Sequence, residues 1–282
     1  MSAIAIAKIG LQEALRRRVF LIVAILTVLY LGLYALGTWQ AFKEVHGHQL
    51  MNEEDTNTIT AATLLGLNMF GTMFLGTILG IFLTLSTVRG DAERGLLQPL
   101  LVRPVSRAVL LLARFISAAV VCGAYVIVVF AAAALITHHF SHWWPDRFIE
   151  PAVSLAGAVA IVCALSLAGS VFLSPTANGI AIFMIFGAGL VAGLLGQIGE
   201  AIRSQTLSRV SDIACWILPF EALYQSSLGK LTADTIGMAR LAINLGPFGG
   251  AQDFGPFMWP WALIYLLLVG GFALRAFARR DL

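Results

Sequence analysis

The stretch VLLLARFISAAVVCGAYVIVVFAAAALI, from Val109 to Ile136, decides the fold class because it contains a single charged residue, Arg114. A helix of about 20 apolar residues is long enough to cross a bilayer. A backbone surrounded by hydrocarbon has to pair its own polar groups, so this run should be an α-helix. Arg114 lies near the start of the run, from where its long side chain can reach the membrane interface.

Five further apolar runs have the same character, and the charged residues lie almost entirely outside them. The 282 residues are 59% hydrophobic and 12% charged, and their mean hydropathy is +0.87. This composition leaves too little polar surface for a soluble protein with six buried helices. We therefore predict an all-α polytopic membrane protein whose residues 1–282 form a single transmembrane domain. The predicted spans are 19–39, 61–88, 109–136, 152–173, 179–198 and 260–277.

The distribution of basic residues predicts the orientation. Most of the 18 lysines and arginines fall in segments on the same side of the membrane as the N-terminus, including Arg16, Arg17 and Arg18. Short loops rich in lysine and arginine stay in the cytoplasm. Both termini of this multi-pass protein are therefore expected on the cytoplasmic side of a cell membrane. Contact with anionic membrane lipids explains the net charge of +3 without a nucleic-acid partner.

Two segments outside the spans have helical patterns of their own. The residues from Ile4 to Leu15 place apolar side chains on one face, which is typical of a helix lying in the membrane interface. Between the last two spans, the apolar stretch Ile213–Leu228 is interrupted by Pro219 and Glu221. It is too short and broken to cross a membrane, so it predicts external re-entrant or interfacial helices.

The loop between the second and third spans reads RGDAERGLLQPLLVRPVSR from Arg89 to Arg107. Its leucines stand at helical spacing between charged residues, and Pro104 is expected to end the helix that they form. The pattern predicts a short amphipathic helix parallel to the membrane. The leucines concerned are Leu96, Leu97, Leu100 and Leu101.

This loop resembles the cytoplasmic loop of type-2 ABC transporter permeases, particularly the NosY-like group. That family often shows a glutamate, then Gly-Thr, then Leu-Leu-Ser-x-Pro-Val-Ser-Arg and a lysine nearby. This chain has Glu93, Gly95 and the block Leu100–Arg107. It departs from the pattern at Leu96, at Val102 and at Arg114, which stands in place of the lysine. The segment from Leu11 to Phe20 is also similar to the start of that family, as is the arrangement of six spans.

The resemblance implies a permease subunit that is not itself an enzyme. It binds no cofactor, while ATP and Mg²⁺ belong to a separate cytoplasmic ABC ATPase. The chain has no G-x-x-x-x-G-K-[ST] phosphate loop, since Gly229-Lys230 lacks the upstream glycine. The resemblance further implies that the N-terminal helix and the 89–107 loop, the predicted coupling helix, form the ATPase-docking surface. The residues of that surface are Glu13, Arg16, Arg89, Glu93, Arg94, Leu97, Leu100, Leu101, Arg103, Pro104 and Arg107.

Three alternatives bear on this interpretation. The arginines of the loop could anchor it to lipid headgroups, although anchoring alone does not require Asp91, Glu93 or Pro104. A non-transport scaffold or assembly subunit could use the same loop to recruit a cytoplasmic partner. A secondary transporter is disfavoured because the predicted spans carry no acid for a proton relay.

The few polar residues in the spans imply a mostly apolar path, which favours an exporter of hydrophobic or amphipathic cargo.

Two G-x-x-x-G pairs, Gly76 with Gly80 and Gly189 with Gly193, are candidate helix-packing positions because small residues let membrane helices approach closely. They fit packing within the chain and also pairing with a second permease copy or a paralogue, as homo- or heterodimer.

The histidines and cysteines predict no metal site and no disulfide framework. All five histidines fall in the first two outer loops, where they could bind copper or zinc. Their place beside Trp143 and Trp144 is equally typical of a membrane-interface belt, so we predict that no metal is bound. The three cysteines lie far apart in the sequence. The histidines are His46, His48, His138, His139 and His142, and the cysteines are Cys122, Cys163 and Cys215.

Overall fold

A computed structural model describes residues 18–47, 53–85, 107–231, 252 and 254–279. Within these ranges the chain forms eight α-helices and no strand. The N-terminal helix and the amphipathic helix predicted for the 89–107 loop fall outside the ranges, except for Arg107. The helices are α1 (Arg18–Gly47), α2 (Glu53–Thr84), α3 (Arg107–Ser141), α4 (Ile149–Phe172), α5 (Pro175–Ala201), α6 (Gln205–Ile217), α7 (Pro219–Gly229) and α8 (Met258–Ala278).

Six of these helices are long and apolar enough to cross a membrane, which confirms the predicted all-α membrane fold. The candidate spans are Phe20–Glu44, Thr56–Thr84, Ala108–Ser141, Ile149–Phe172, Pro175–Ala201 and Met258–Ala278. Several helices begin earlier or end later than the apolar runs that predicted them. The third, for example, continues past Ile136 through His138 and His139. Apolar composition marks the hydrocarbon layer, whereas helical hydrogen bonding continues into the interface.

The second span departs from its predicted limits at both ends. The apolar run extends to Val88, but α2 ends at Thr84. Near this end the hydroxyl group of Thr84 donates to the Gly80 carbonyl oxygen at 2.8 Å. At the other end α2 begins at Glu53, well before the predicted start at Ala61. The polar residues of that first part lie beyond the apolar run, so composition alone did not include them.

Helix α4 forms the centre of the bundle and α1 lies at its edge. In the most apolar stretch of 18 residues of each helix, 67% of the residues are buried in α4 but only 11% in α1. The central helix contacts α2, α3, α5, α7 and α8. It can do so because much of its surface is alanine, glycine and serine, which leave room for neighbouring helices. At Gly157, for instance, an added Cβ would lie 3.1 Å from the ring of Trp259.

The described part of the segment between α5 and α8 contains two short helices that do not cross the bundle, as the interrupted sequence predicted. The first, α6, ends at Ile217, and α7 begins at Pro219. Proline suits the first turn of a helix because its missing N–H would have no helical partner there. Helix α6 packs mainly on α5, while α7 packs mainly on α4. Residues 205–229 are called the α6–α7 segment below.

Lys230, which follows α7, forms an ion pair that joins this segment to the start of α4. Its ammonium group lies 3.2 Å from Glu150, which also pairs with Arg147 at 3.2 Å. The backbone N–H of Asp146 donates to the carbonyl oxygen of Leu231 at 3.1 Å. The α6–α7 segment is therefore held at the end of the bundle opposite Arg107.

Candidate functional site

The predicted ATPase-docking residues lie almost entirely outside the described ranges. Glu13, Arg16 and the positions from Arg89 to Pro104 are not described, and of Arg107 only its backbone, at the start of α3, is. The docking surface therefore stays a prediction from the sequence resemblance. The structure adds that α3 begins at the last residue of this loop, so any force applied there acts on the end of a membrane helix.

Gly76 and Gly80 lie where α2 meets α3 and α4 within the chain. A Cβ added at Gly76 would lie 2.6 Å from Cγ2 of Val126 and 3.2 Å from Cγ2 of Val159. At Gly80 it would lie 2.6 Å from Sγ of Cys163 and 3.6 Å from Sγ of Cys122. Real Cβ contacts are not as short as 2.6 Å, so both glycines permit a close approach that any other residue would prevent.

Two cysteines thus meet at one glycine, although they are far apart in the sequence. This contact is not predictable from the sequence, because nothing in the spacing of Cys122 and Cys163 indicates that α3 and α4 lie side by side. Both cysteines are free and buried, as is Cys215 in α6. Here they act as small apolar side chains that fill the space beside a glycine.

Gly189 and Gly193 of α5 face α7. A Cβ at Gly189 would lie 2.6 Å from the ring of Phe220. A Cβ at Gly193 would overlap Oε1 of Glu221 and lie 2.6 Å from Nε2 of Gln225. In this single chain, therefore, the second G-x-x-x-G pair is occupied by the α6–α7 segment.

Many polar residues within the spans are buried, and most of these bond to nearby backbone or to one another. Ser117 and Ser170 donate to carbonyl oxygens of their own helices, at 2.8 and 2.7 Å. The hydroxyl oxygens of Thr84 and Ser166 lie within hydrogen-bond distance, 2.7 Å apart, and Asn178 donates to the Ser166 carbonyl oxygen at 2.9 Å. The last two contacts join α2, α4 and α5. In this structure these side chains hold helices together rather than facing an open path.

Helix α1 attaches to the bundle through hydroxyl groups on one of its faces. Tyr34 bonds to Thr137 of α3 at 2.6 Å, and Thr27 bonds to Tyr125 of α3 at 2.5 Å. The hydroxyl group of Tyr30 donates to the Asn68 carbonyl oxygen of α2 at 3.2 Å. Much of the opposite face of α1 is exposed and apolar. Hydrogen bonds can hold helices together in a membrane because lipid offers no competing partners.

An apolar groove of about 550 Å³ opens between α3, α4 and α8. Every residue that lines it is aliphatic, aromatic or glycine. Gly270 and Gly271 contribute to its width, because a Cβ added at either would meet nothing within 4 Å. The lining residues include Leu111, Phe115, Leu167, Leu267, Gly271 and Leu274. A groove of this chemistry can hold hydrocarbon but offers no group for binding an ion.

The histidines whose side chains are described lie among aromatic rings at the end of α3. His138 bonds through Nδ1 to the Trp143 carbonyl oxygen at 3.1 Å, and its ring centroid lies 5.4 Å from that of Trp144. Within the part of the chain that the structure describes, no group of three or more potential ligands could hold a metal ion. The side chains of His46 and His48 fall outside that part.

The α6–α7 segment contains a buried acid whose role the sequence did not reveal. Glu221 is fully buried, and its Oε1 accepts a hydrogen bond from Nε2 of Gln225 at 3.1 Å. Burial raises the pKa of Glu221 to about 8, with the Gln225 hydrogen bond acting in the opposite direction. The only signal in the sequence is that an acid interrupts an apolar stretch, a pattern that predicts a broken helix and not a buried carboxyl group.

Comparison with known proteins places this bundle of six apolar helices in a transporter family. Residues 4–282 match the model of the ABC-2 family transporter proteins, which is nearly the whole chain. No individually curated protein matches the chain. The permeases of this family are membrane transport subunits that work with a cytoplasmic ABC ATPase. The chain therefore belongs to the ABC-2 transporter family and is a multi-pass membrane permease of an ABC transporter.

Proposed function

We propose that this permease, as a member of the NosY-like group, exports a hydrophobic or amphipathic cargo through the cell membrane. The observation that carries the proposal is the apolar groove between α3, α4 and α8. Hydrocarbon segments fit a surface that offers neither charge nor hydrogen bonds, whereas an ion or a sugar would lose its hydration there without compensation. The burial of the polar side chains in the spans agrees with a cargo that needs few polar contacts.

The energy comes from a separate ATPase that docks on the N-terminal helix and the 89–107 loop. The arginines of the 89–107 loop can pair with acids of the ATPase, and the leucines of the loop can fill an apolar groove on the ATPase. A second permease copy or a paralogue completes the transporter. Because α3 begins at Arg107, movement of the loop would be transmitted to a helix that lines the apolar groove.

Reconstituted vesicles containing the permease and its ATPase test the cargo. We expect ATP-dependent export of a fluorescent lipid-like amphiphile and none of a hydrophilic dye of similar size. Gly271→Leu fills the groove at a position with free space, so it should fold normally and lower amphiphile transport severalfold. Gly32→Leu is the matched control, since a Cβ at Gly32 also meets nothing within 4 Å but lies in α1 away from the groove. Equal transport by both variants would contradict the groove as a cargo surface.

A further inference from the structure

Glu221 is buried without a compensating positive charge. Its exposure is 0%, and within the described ranges no lysine, arginine or histidine pairs with it. Its neighbours on α5 are glycines, and Gly193 leaves so little room that a Cβ there would overlap Oε1 of Glu221. An ionised carboxylate in such a place would be strongly unfavourable, because it loses its hydration and gains no opposite charge.

The hydrogen bonds around Glu221 leave two acceptor oxygens unsatisfied. Nε2 of Gln225 donates to Oε1 of Glu221 at 3.1 Å. Oε2 of Glu221 and Oε1 of Gln225 are both buried and have no partner. The two residues stand four apart on α7, which places their side chains next to each other. If the carboxyl group is ionised, both orphaned atoms are acceptors and cannot bond to each other.

A proton on Oε2 of Glu221 supplies the missing donor. The acid O–H then donates to Oε1 of Gln225, while the amide N–H of Gln225 donates to the other oxygen of the acid. This arrangement is a closed ring of two hydrogen bonds that satisfies both orphaned oxygens. Exchanging the nitrogen and oxygen of the Gln225 amide does not improve the contacts, because it would direct that oxygen towards Oε1 of Glu221.

We propose that Glu221 is a proton-binding site, and that its neutral carboxyl group forms a reciprocal acid–amide pair with Gln225 that holds α7 against α5. The pair lies on the bare backbone at Gly193, where two neutral groups fit and a hydrated charge does not. Burial of the carboxyl group, which raises its pKa to about 8, agrees with this assignment. The inference concerns the α6–α7 segment alone and does not depend on the cargo or the direction of transport.

Among the residues that the structure describes, no positive charge is paired with Glu221 in place of this proton. The pKa shift of Glu221 arises from burial and Gln225, without a contribution from another ionisable group. On the α5 side Gly189 and Gly193 face this part of α7, and the Glu150–Lys230 pair lies beyond its other end. Among the described residues, two ionisable groups interact electrostatically with Glu221, Cys215 of α6 and Tyr224 of α7, and neither of them carries a positive charge.

Loss of the proton should loosen the α6–α7 segment. The Oε2–H bond breaks, the proton passes to water, and the electron pair stays on the carboxylate. The hydrogen bond from Oε2 of Glu221 to Oε1 of Gln225 is then replaced by repulsion between two acceptor oxygens, which weakens the packing of α7 on α5. The pKa of Glu221 is higher in the folded than in the unfolded chain, where it is about 4.3. The stability that the neutral Glu221 contributes is therefore fully present below about pH 4.3 and is lost as the pH rises through about 8.

Infrared spectroscopy of the purified full-length protein in lipid nanodiscs tests the protonation directly. At about pH 6 we expect a carboxylic-acid C=O band that disappears as the pH rises through about 8. Glu221→Gln should remove this band but keep the fold, since an amide can form the same reciprocal pair. Glu200→Gln is the control, because Glu200 is an exposed acid that accepts a hydrogen bond from Gln252. Loss of the band in the Glu200 variant but not in the Glu221 variant would overturn the assignment.

Hydrogen exchange of the α7 amides tests the consequence. In wild-type protein the protection of α7 should fall between about pH 6 and about pH 9 by more than in Glu221→Gln measured at the same pH values. The comparison at equal pH removes the ordinary effect of base on exchange. If Glu221→Gln does not fold, the wild-type infrared titration alone decides, and the absence of an acid band at about pH 6 would exclude a bound proton. Equal loss of α7 protection in both proteins would exclude the proposed link to α5.

Discussion

Single glycines allow the helices of this bundle to approach closely, and Gly76 is a clear example. The sequence identified Gly76 and Gly80 as positions where helices approach, because the spacing of small residues is visible in one dimension. It did not identify Val126, Val159, Cys122 and Cys163 as the side chains that occupy the space. Which helix lies beside α2 depends on the packing of the whole chain and leaves no local pattern.

Gly76→Leu should destabilise the protein by about 1–3 kcal/mol, since overfilling a packed core forces its neighbours to move. The side chain would begin 2.6 Å from Val126. The three buried cysteines provide the measurement, because a thiol-reactive dye labels them only as the protein unfolds on heating. Gly32→Leu should unfold at nearly the wild-type temperature. If the two variants lose the same stability, Gly76 is not a packing position.

At the scale of helices, the sequence predicted where the chain enters the membrane better than it predicted what each helix contacts. The six apolar runs correspond to α1–α5 and α8, and the interruption expected at Pro219 falls where α6 ends and α7 begins. The burial of Glu221 was not foreseen, because an acid in a short helix between spans is ordinarily exposed. Burial of α7 follows from its contacts with α4 and α5, which depend on glycines in a distant part of the chain.

The hydroxyl groups that hold α1 lead to a graded prediction. Tyr34→Phe removes the hydrogen bond to Thr137 and should cost about 0.6 kcal/mol, the usual size for one such bond in a membrane. Adding Thr27→Val and Tyr30→Phe should lower stability further and release α1 before the rest unfolds. Protease cleavage between α1 and α2 would report that release. Val28→Ala, on the exposed face of α1, should change nothing; comparable cleavage in that variant would show that these bonds do not hold α1.

The predicted coupling helix in the loop that ends at Arg107 can be tested by substitution. Glu93→Gln and Arg103→Gln should leave membrane insertion intact while reducing co-purification of the ATPase and its stimulation by the permease. Both residues belong to the loop that resembles the cytoplasmic loop of the family, Glu93 as its glutamate and Arg103 within the block Leu100–Arg107. Arg147→Gln is a matched control in a loop at the other end of the bundle. Normal capture and hydrolysis with every loop variant would remove this segment as the docking surface.

For the whole molecule, the bias of basic residues predicts the orientation, and the structure adds which groups share an end. The α6–α7 segment, Glu150 and Trp143 lie together at the end opposite Arg107. If the termini are cytoplasmic, this end faces outwards. The family membership gives a membrane permease but not its orientation, which depends on insertion and therefore has to be measured.

Cysteine labelling in intact cells measures the orientation. In a variant without Cys122, Cys163 and Cys215, single cysteines at His142 and Thr232 should react with a membrane-impermeant thiol reagent added outside. A cysteine at Gln98 should react only after the membrane is opened. If the cysteine at Gln98 is labelled from outside and the one at His142 is not, the orientation is the opposite of the predicted one. The predicted docking loop would then lie on the outer side of the membrane.

The indole of Trp261 ties the last span to the segment before it. Its Nε1 donates to the carbonyl oxygen of Trp216 at 2.9 Å, so the final turn of α6 is bonded to the first turn of α8. Helix α8 also lines the apolar groove. A rotation of α8 that widens the groove must therefore turn α6 as well or break this bond. The motion of the α6–α7 segment and that of the last membrane helix are thus coupled through a single indole N–H.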